Sequence, residues 1–343
     1  MTQQAEQFDI EHVQAYLSGV LPGFSGPVEA RKFEMGQSNP TYMLVTPNGR
    51  YVLRRKPPGV LLKSAHAVDR EFRIQNALQN SDVPVARMLH LCEDDAVIGS
   101  AFYVMDFVEG RNFADPTMPD LTANMRAQVL KEMCRVLSAL HKIVPEDVGL
   151  GDYGPPGHYL ERQLGRWTKQ YYASETEKRP QMDRLIAALT EQLPADDGWR
   201  ALVHGDYRID NMIFDRGGAQ CLAVLDWELS TIGHPFADLA SVIMQWQLPP
   251  GAEGRGLAGV DRAELGLPSD AEFIAQYCDR MGLPGIPDFG VYLAFSFFRM
   301  GAILQGVLKR ALDGNASNPQ KALKLGEYVP VFAQHGLRAL SGR

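Results

Sequence analysis

Cysteine is scarce in this chain, and an excess of positive charge is absent. The four cysteines lie far apart in largely apolar surroundings, which predicts reduced core residues rather than a disulfide framework or a zinc site. The formal net charge is −7, which argues against broad binding to nucleic acids or to anionic membranes. We therefore expect no nucleic-acid partner and no membrane partner.

An uninterrupted apolar run long enough to span a membrane is also lacking. The richest apolar segment, residues 291–308, is interrupted by Arg299 and Gln305, and this favours a core helix over a membrane span. Residues 1–19 are polar and acidic, unlike a secretory signal. Together these features predict a cytoplasmic protein.

The chain is long and has the composition of a globular protein. It contains 343 residues, of which 45% are hydrophobic and 22% charged, so two domains are expected rather than a single core. After an amino-terminal part rich in strand patterns, apolar residues recur at helical spacing. The helices predicted from this spacing cover residues 121–143, 158–173, 181–192, 236–247, 270–281, 289–311 and 319–340.

The most informative stretch is a cluster of polar residues at 204–211, with the sequence His-Gly-Asp-Tyr-Arg-Ile-Asp-Asn. Three apolar runs around it are typical of short strands: residues 201–203, 212–214 and 221–225. Residues 215–220 form a polar, glycine-containing turn between the last two strands. Such a hairpin would hold Asn211 close to Asp226, which directly follows the last strand.

This order of residues resembles the catalytic loop of kinases. Four residues separate Asp206 from Asn211, and Asp226 stands where the metal-binding Asp of Asp-Phe-Gly would stand. Trp227-Glu228 replaces Phe-Gly, which argues against a protein kinase proper. The combination of His-Gly-Asp-x-x-x-x-Asn with Leu-Asp-Trp-Glu is similar to the aminoglycoside phosphotransferase family of small-molecule kinases, and the likeness extends over about residues 33–305.

Two further segments look closest to the kinase-like domains associated with some acyl-CoA dehydrogenases. They are Ser-Thr-Ile-Gly-His-Pro at 230–235 and Phe-Ser-Phe-Phe-Arg at 295–299. That subgroup is associated with the phosphorylation of hydroxyacyl-CoA intermediates. The family also has a Gly-x-Pro-x-x-Asp-Leu-Ala run, and the similar run here implies that Asp238 anchors the catalytic loop. His204 is expected to support the same loop through hydrogen bonds.

The resemblance implies an α+β, protein-kinase-like fold with two lobes. A small antiparallel sheet lobe with one helix would cover residues 1–105 and bind the nucleotide. A larger, mostly helical lobe would cover residues 106–343 and carry the catalytic loop and the acceptor site. ATP and Mg²⁺ would be the cofactors, and a small molecule with a hydroxyl group would be the partner.

The resemblance also assigns roles in the polar cluster. Asp206 would orient the acceptor hydroxyl and take its proton, while Asn211 and Asp226 would hold Mg²⁺. Arg208, the second candidate catalytic residue, either contacts phosphate or substrate or pairs with a carboxylate such as Asp210. The sequence leaves these two alternatives for Arg208 open.

On the nucleotide side, Arg54 stands where kinases have a phosphate-binding lysine. Glu71, in a helix predicted at 64–79, matches the glutamate that pairs with that lysine. An arginine can still grip phosphate oxygens, with a different geometry. Because strand side chains alternate, Arg54 and Arg55 cannot both face the nucleotide, and the other one is expected to be a solvated surface charge.

Two more segments are expected to contact the nucleotide. The loop between strands predicted at 28–34 and 41–46 lacks the G-x-G-x-x-G pattern, although its position implies phosphate contacts. The contacts would come from backbone N–H groups at residues 36–39 and from the Ser38 hydroxyl, and the loop residues concerned are Gly36, Ser38 and Asn39. A later strand runs from Phe102 into the connector, where backbone atoms of Met105, Asp106 and Phe107 would meet the adenine.

Three other functions are alternatives to a kinase that phosphorylates an unknown acceptor. A catalytically inactive nucleotide-binding regulatory protein is left open by Arg54 and the glycine-poor loop, but the retained polar residues at 206, 211 and 226 argue against it. An aminoglycoside kinase is disfavoured, because that acceptor calls for an acidic pocket near the carboxyl terminus and residues 321–343 hold a single acidic residue, Glu327. A metal-dependent hydrolase that uses His204, Asp206, Asp226 and His234 would leave Arg54 and Glu71 without a role.

Overall fold

The computed structural model describes residues 8–33, 39–57, 66–251, 255–316 and 318–342. Its strands are β1 (Glu29–Lys32), β2 (Thr41–Thr46), β3 (Gly49–Arg55), β4 (Met88–Cys92), β5 (Phe102–Asp106), β6 (Ala201–Val203), β7 (Met212–Phe214), β8 (Cys221–Val224) and β9 (Thr231–Gly233). Its helices are α1 (Ile10–Val20), α2 (Val68–Leu78), α3 (Asp95–Ile98), α4 (Ala123–Lys142), α5 (Tyr159–Ala173), α6 (Pro180–Gln192), α7 (Phe236–Trp246), α8 (Arg262–Leu265), α9 (Asp270–Met281), α10 (Phe289–Leu312), α11 (Pro319–Gly326) and α12 (Val329–Leu340).

The chain divides into two compact units, each assembled from three segments. The first unit comprises Met1–Asn112, Val148–Leu150 and Asn211–Ser230. The second comprises Phe113–Asp147, Gly151–Asp210 and Thr231–Arg343. The division at residue 105 that the sequence suggests stays a prediction.

The first unit is built on a five-stranded antiparallel sheet with the order β1-β2-β3-β5-β4. The turn between β2 and β3 contains Asn48 and Gly49, a pair that favours tight hairpin turns. Its geometry is fixed by the Thr46 hydroxyl, which accepts hydrogen bonds from the backbone N–H groups of Asn48 and Gly49. This hairpin sets the register that carries Arg54.

The amino-terminal helix α1 covers one face of this sheet, and the sequence did not predict it. Val13 and Leu17 pack with Leu44 and Leu53 in a buried apolar cluster. The polar character of residues 1–19 conceals a narrow stripe of apolar residues at helical spacing. The expectation of one helix in this part of the chain is therefore corrected: α1 and the short α3 accompany α2.

Arg55 corrects a second expectation, because it is not a solvated surface charge. Only 4% of the residue is exposed. Its Nε donates a hydrogen bond to the Ser100 hydroxyl at 3.0 Å, and its guanidinium lies 5.8 Å from the ring centre of Phe8. Burial lowers the pKa of Arg55. The alternation of β3 does separate Arg54 from Arg55, but both faces of the sheet are covered.

The second unit is mostly helical and is organised around α10. This helix packs against α5, α6, α7, α11 and α12. By length and composition α10 is apolar enough to cross a membrane, yet 67% of its most apolar window is buried, as in a core helix. The predicted helix at 319–340 is wrong as a single element, because the chain breaks between α11 and α12 and Pro330 lies in the first turn of α12.

The four cysteines are unpaired and buried, which confirms that they are core residues. The fold class is also confirmed, since a small antiparallel sheet is combined with a larger helical part. The short strands around the polar cluster are present too. They form two antiparallel pairs, β6 with β9 and β7 with β8.

The β7–β8 hairpin is joined to the segment after β5 by a close backbone approach. Arg111 and Phe214 exchange two backbone hydrogen bonds of 2.8 Å. A Cβ on Gly110 would lie 2.5 Å from the Phe214 carbonyl oxygen, a distance that real structures do not tolerate. Glycine is required at position 110 because these two segments of the backbone approach each other so closely.

We expect Gly110→Ala to destabilise the first unit by about 1–3 kcal/mol, because the backbone of Phe214 cannot yield without loss of its hydrogen bonds. The matched control is Gly19→Ala in α1, where the added methyl has open space and helix propensity favours alanine. Urea unfolding midpoints of the two variants measure the difference. Equal midpoints would contradict the steric argument.

Candidate active site

Arg54 is the centre of a cluster of charges within the first unit. Its Nε lies 2.8 Å from Glu71 Oε2 and its Nη2 lies 2.9 Å from Asp226 Oδ1. A third carboxylate, Glu228, is 3.8 Å from Nη2. Only 11% of the Arg54 side chain is exposed. Burial acts to lower the pKa of Arg54, but these carboxylates outweigh it and raise the pKa, so the guanidinium is charged at all accessible pH values.

Glu71, which α2 carries, is held by donors on both oxygens. Asn39 Nδ2 donates to Oε1 at 2.7 Å and the Tyr103 hydroxyl donates to Oε2 at 3.2 Å. Burial raises the pKa of Glu71, and Arg54 opposes that rise. These donors hold the Glu71 carboxylate in one orientation, and its ion pair in turn fixes the orientation of Arg54.

Asn211 and Asp226 are brought together at the open end of the β7–β8 hairpin, as the sequence predicts. The backbone N–H of Leu225 donates to the Asn211 carbonyl at 2.7 Å. Asp226 follows with φ of 65°, a left-handed conformation that aspartate tolerates better than most residues. Trp227 anchors the turn, since its indole N–H donates to the Val224 carbonyl at 2.9 Å.

The oxygens offered by Asn211 and Asp226 suit a hard cation such as Mg²⁺, which prefers carboxylate and amide oxygens. The Asp226 side chain is 34% exposed, so a ligand from solvent can reach it. Over the residues that the structure describes, no three His, Cys, Asp or Glu side chains are grouped so as to hold a metal ion. The metal-binding roles stay predictions.

In the second unit, Asp238 organises the loop that contains Asp206. The carboxylate of Asp238 accepts hydrogen bonds from the backbone N–H groups of His204, at 2.6 Å, and Gly205, at 2.8 Å. The ring of His141 is a third partner at 3.4 Å. Asp238 therefore anchors the loop, which is the role expected for it from the sequence.

Three further contacts hold the same loop. The backbone N–H of Asp206 donates to His204 Nδ1 at 3.2 Å, so the buried His204 supports the loop in the manner expected. The Tyr207 hydroxyl donates to the Met133 carbonyl at 2.8 Å. From α10, Arg299 Nη2 donates to the Gly205 carbonyl at 2.9 Å. The Asp206 side chain remains 30% exposed.

Arg208 pairs with carboxylates, one of the two alternatives that the sequence left open. Its Nε lies 3.2 Å from Asp206 Oδ2 and 3.3 Å from Asp210 Oδ1. Arg255 also forms an ion pair with Asp210. Burial raises the pKa of Asp210, and the two arginines counter this effect. A catalytic role for Arg208 stays a prediction.

The expected nucleotide contacts are only partly accounted for. Gly36 and Ser38 lie outside the described residues. The side chain of Asn39 is turned inward to Glu71, and its Oδ1 is 2.9 Å from His66 Nδ1. Asn39 is 1% exposed, and its side chain supports the charge cluster, while phosphate contact by its backbone N–H stays a prediction.

The connector uses its backbone donors within the protein. The N–H of Asp106 donates to the Arg87 carbonyl at 2.9 Å, and that of Phe107 to the Arg50 carbonyl at 3.4 Å. Met105 lies opposite Val52 of β3, and the pairing continues to Asp106, opposite Tyr51. Contact of Met105, Asp106 and Phe107 with adenine stays a prediction, and it would have to use other backbone atoms or exchange these bonds.

Sequence reasoning missed Glu228, Arg255, Arg299 and His141 as site residues. Glu228 had a usable signal, because it stands two residues after Asp226. The others come from distant segments and could be found only by folding the chain. His234, a ligand in the hydrolase alternative, lies 3.3 Å from Asp197 Oδ2 and among the rings of Phe236 and Tyr292, where burial lowers its pKa.

Comparison with known proteins gives three consistent findings. Residues 29–274 match the sequence model of a family described as the phosphotransferase enzyme family. Acyl-CoA dehydrogenase family member 10 from Mus musculus is 46% identical over 325 residues. That alignment covers 94% of this chain but 30% of the mouse protein, so the chain spans less than a third of the relative it matches.

Solved structures resemble the chain over nearly its whole length. A protein from Ralstonia eutropha JMP134, provisionally classed as an aminoglycoside phosphotransferase, is 45% identical with a TM-score of 0.90, over 98% of this chain and 99% of that chain. The aminoglycoside phosphotransferase APH(4)-Ia, solved with AMP-PNP and hygromycin B, is 15% identical with a TM-score of 0.62, over 96% and 99% of the two chains. At that identity the second likeness concerns the kinase-like fold alone.

The anchor of the Asp206 loop should make stability depend on pH. Burial acts to raise the pKa of Asp238, but hydrogen bonds from His141 and the His204 backbone outweigh it and lower the pKa. The ionised Asp238 carboxylate therefore contributes fully to the free energy of unfolding above about pH 3.9, the ordinary pKa of aspartate. This contribution is lost as the pH falls through the lower pKa that Asp238 has in the folded protein.

We expect the free energy of unfolding of Asp238→Asn to be lower than that of the wild type by about 3–5 kcal/mol at pH 7. This gap between variant and wild type should narrow below about pH 4. Urea unfolding followed by circular dichroism at several pH values measures this gap. Asp120→Asn, at an exposed carboxylate, is the control. A gap for Asp238→Asn that stayed constant down to pH 3 would sink the explanation.

Proposed function

Because this chain belongs to the phosphotransferase enzyme family, whose members are small-molecule kinases, we propose that it transfers the γ-phosphoryl group of ATP to a hydroxyl group, with a hydroxyacyl-CoA as the acceptor. The observation that carries the proposal is the buried Arg54–Glu71 pair beside Asp226. This arrangement serves a kinase by orienting a cation toward phosphate oxygens. A cytoplasmic location, predicted from composition, is part of the same proposal.

The nucleotide would be bound by the first unit. Arg54, steadied by Glu71, would grip phosphate oxygens with its planar guanidinium. Asn211 and Asp226 would hold Mg²⁺, which supplies charge neutralisation for the phosphates when it is bound. The present ion pair between Arg54 and Asp226 would give way as phosphate oxygens take the guanidinium.

Transfer itself would use the loop that Asp238 anchors. Asp206 orients the acceptor hydroxyl and accepts its proton as the hydroxyl oxygen bonds to the γ-phosphorus. The bond from that phosphorus to the β–γ bridging oxygen breaks, and ADP leaves. Since phosphoryl transfer is loose, the fixed position of Asp206 matters more than its basicity. The hydrogen bonds at His204 and Gly205 supply that fixed position.

The choice of acceptor rests on similarity and on charge. The mouse relative is named as an acyl-CoA dehydrogenase family member, which supports an acyl-CoA compound. Hygromycin B, bound by APH(4)-Ia, is a weaker candidate because the carboxyl-terminal helices α11 and α12 offer a cationic acceptor little negative charge. Arg208 and Arg255 beside Asp210 also suit an anionic molecule better.

A regulatory protein that binds nucleotide without catalysis is the second candidate. The observation in its favour is the contact of Arg54 with Asp226, which occupies a carboxylate oxygen that a metal ion would need. The two functions differ in turnover. The regulatory protein would bind Mg²⁺-ATP and give no phosphorylated product with any acceptor.

We expect Asp206→Asn to lower acceptor phosphorylation by at least about a hundredfold, the usual scale for loss of a positioned proton acceptor, and to leave ATP binding largely intact. Turnover with Mg²⁺-ATP is measured against hydroxyacyl-CoAs, free hydroxy acids, amino alcohols and aminoglycosides, with product mass as readout. Asp120→Asn is the matched control for loss of a surface carboxylate. Full activity of Asp206→Asn would show that this residue has another role.

A further inference from the structure

A groove of about 800 Å³ runs along the exposed face of α5 in the second unit. Among the residues that line it are Gly157, His158, Arg162, Gly165, Arg166 and Lys169. We propose that this groove binds the phosphate-bearing part of the acceptor, outside the reacting hydroxyl. The inference rests on the proposed function and extends it, since it assigns the acceptor to compounds that carry a polyanionic group.

Charge in the groove is arranged along one helix face. Arg162, Arg166 and Lys169 follow one another at spacings of four and three residues, so their side chains lie side by side. Arg162 is held in place because its guanidinium donates to the carbonyl oxygens of Pro156, at 2.9 Å, and Pro155, at 3.2 Å. A fixed guanidinium with further N–H donors is well suited to phosphate oxygens.

Acidic residues lie at one end of the groove only. Glu161 and Asp196 approach His158 Nδ1 at 3.4 and 3.9 Å, which offsets positive charge at the start of α5. Toward the other end, Arg166 lies 5.6 Å from the ring centre of Trp167, and Lys169 is exposed. The positive charge is therefore concentrated along the second half of the helix face.

Gly165 lies in the interior of α5 between these basic residues, and packing does not explain it. A Cβ at this position would have no heavy atom of the described residues within 4 Å. Glycine is among the least favourable residues in a helix interior, so an exposed site with open space would ordinarily favour alanine or a longer residue. Close approach of a ligand to the helix backbone supplies a reason for glycine.

Helix α5 is connected to the catalytic loop through two side chains that do not themselves line the groove, Trp167 and Arg299. The guanidinium of Arg299 lies 5.9 Å from the ring centre of Trp167 on α5. The same guanidinium donates to the carbonyl of Gly205, the residue before Asp206. An acceptor with its hydroxyl at Asp206 and its phosphates on α5 would thus contact two elements that are held together by Arg299.

The test uses the full chain and begins with binding of coenzyme A and of adenosine 3′,5′-bisphosphate, measured by calorimetry without ATP. We expect Gly165→Leu to fill the groove and weaken both affinities about tenfold or more, while it raises the melting temperature by about 2–4 °C through better helix propensity. Gly19→Leu, at an exposed glycine of α1 with similar open space, should raise stability without a change in affinity.

A charge variant tests the same groove by a different route. Lys169→Glu should weaken both ligands and flatten the dependence of affinity on salt. Lys131→Glu, an exposed lysine of α4, makes the same change in net charge and should leave affinity unaltered. If wild-type protein fails to bind coenzyme A, or if Gly165→Leu and Lys169→Glu bind it as the controls do, the groove assignment is overturned.

Turnover separates this inference from the proposed function. Loss of hydroxyacyl-CoA affinity in Gly165→Leu, with unchanged turnover of a free hydroxy acid, would support both. Hydroxyacyl-CoA phosphorylation with the same KM in wild type and both groove variants would overturn the groove and leave the kinase standing. Binding that Gly165→Leu blocks, in a protein that phosphorylates none of the acceptors, would support the groove and overturn the kinase.

Discussion

Burial of Arg54 among carboxylates is the constraint on which the nucleotide half of the site depends. A guanidinium that is 11% exposed is tolerated only if negative charge compensates for its lost hydration, and Glu71 and Asp226 provide that charge. To do so, the sheet, the helix α2 and the β7–β8 hairpin must all meet at one point. Asn39 and Tyr103 then become necessary because they satisfy the remaining oxygens of Glu71.

The loop that contains Asp206 also depends on compensation of a buried charge, which here is negative. Here the buried group is a carboxylate, Asp238, and the donors are backbone N–H groups and the His141 ring. A short loop with a glycine at φ of 83° has little structure of its own, so an internal anchor is what fixes it. In the first unit, Arg54 therefore holds the more exposed carboxylate of Asp226 in a defined position. In the second unit, Asp238 does the same for the loop that carries the more exposed Asp206.

The differences between prediction and structure have identifiable causes. Alternation along β3 separates Arg54 from Arg55, but alternation cannot say whether the second face meets solvent, and α1 covers it. The loop position of Asn39 predicted a backbone contact with phosphate and gave no sign that its side-chain amide binds the buried carboxylate of Glu71. The sequence predicted one helix instead of α11 and α12 because the apolar spacing continues past Pro330. In each case a nonlocal contact or a backbone restriction overrode a local pattern.

The sequence by itself determined the family, the α+β fold class and the hairpin that joins Asn211 to Asp226. These properties depend on residue type and on short spacings, which local periodicity and motif order record directly. Only the tertiary structure decided which side chains compensate the buried charges, as Glu228 and His141 do, and where a basic groove forms on α5. Those outcomes depend on segments that lie far apart along the chain, because Coulomb and hydrogen-bond energies act between neighbours in space.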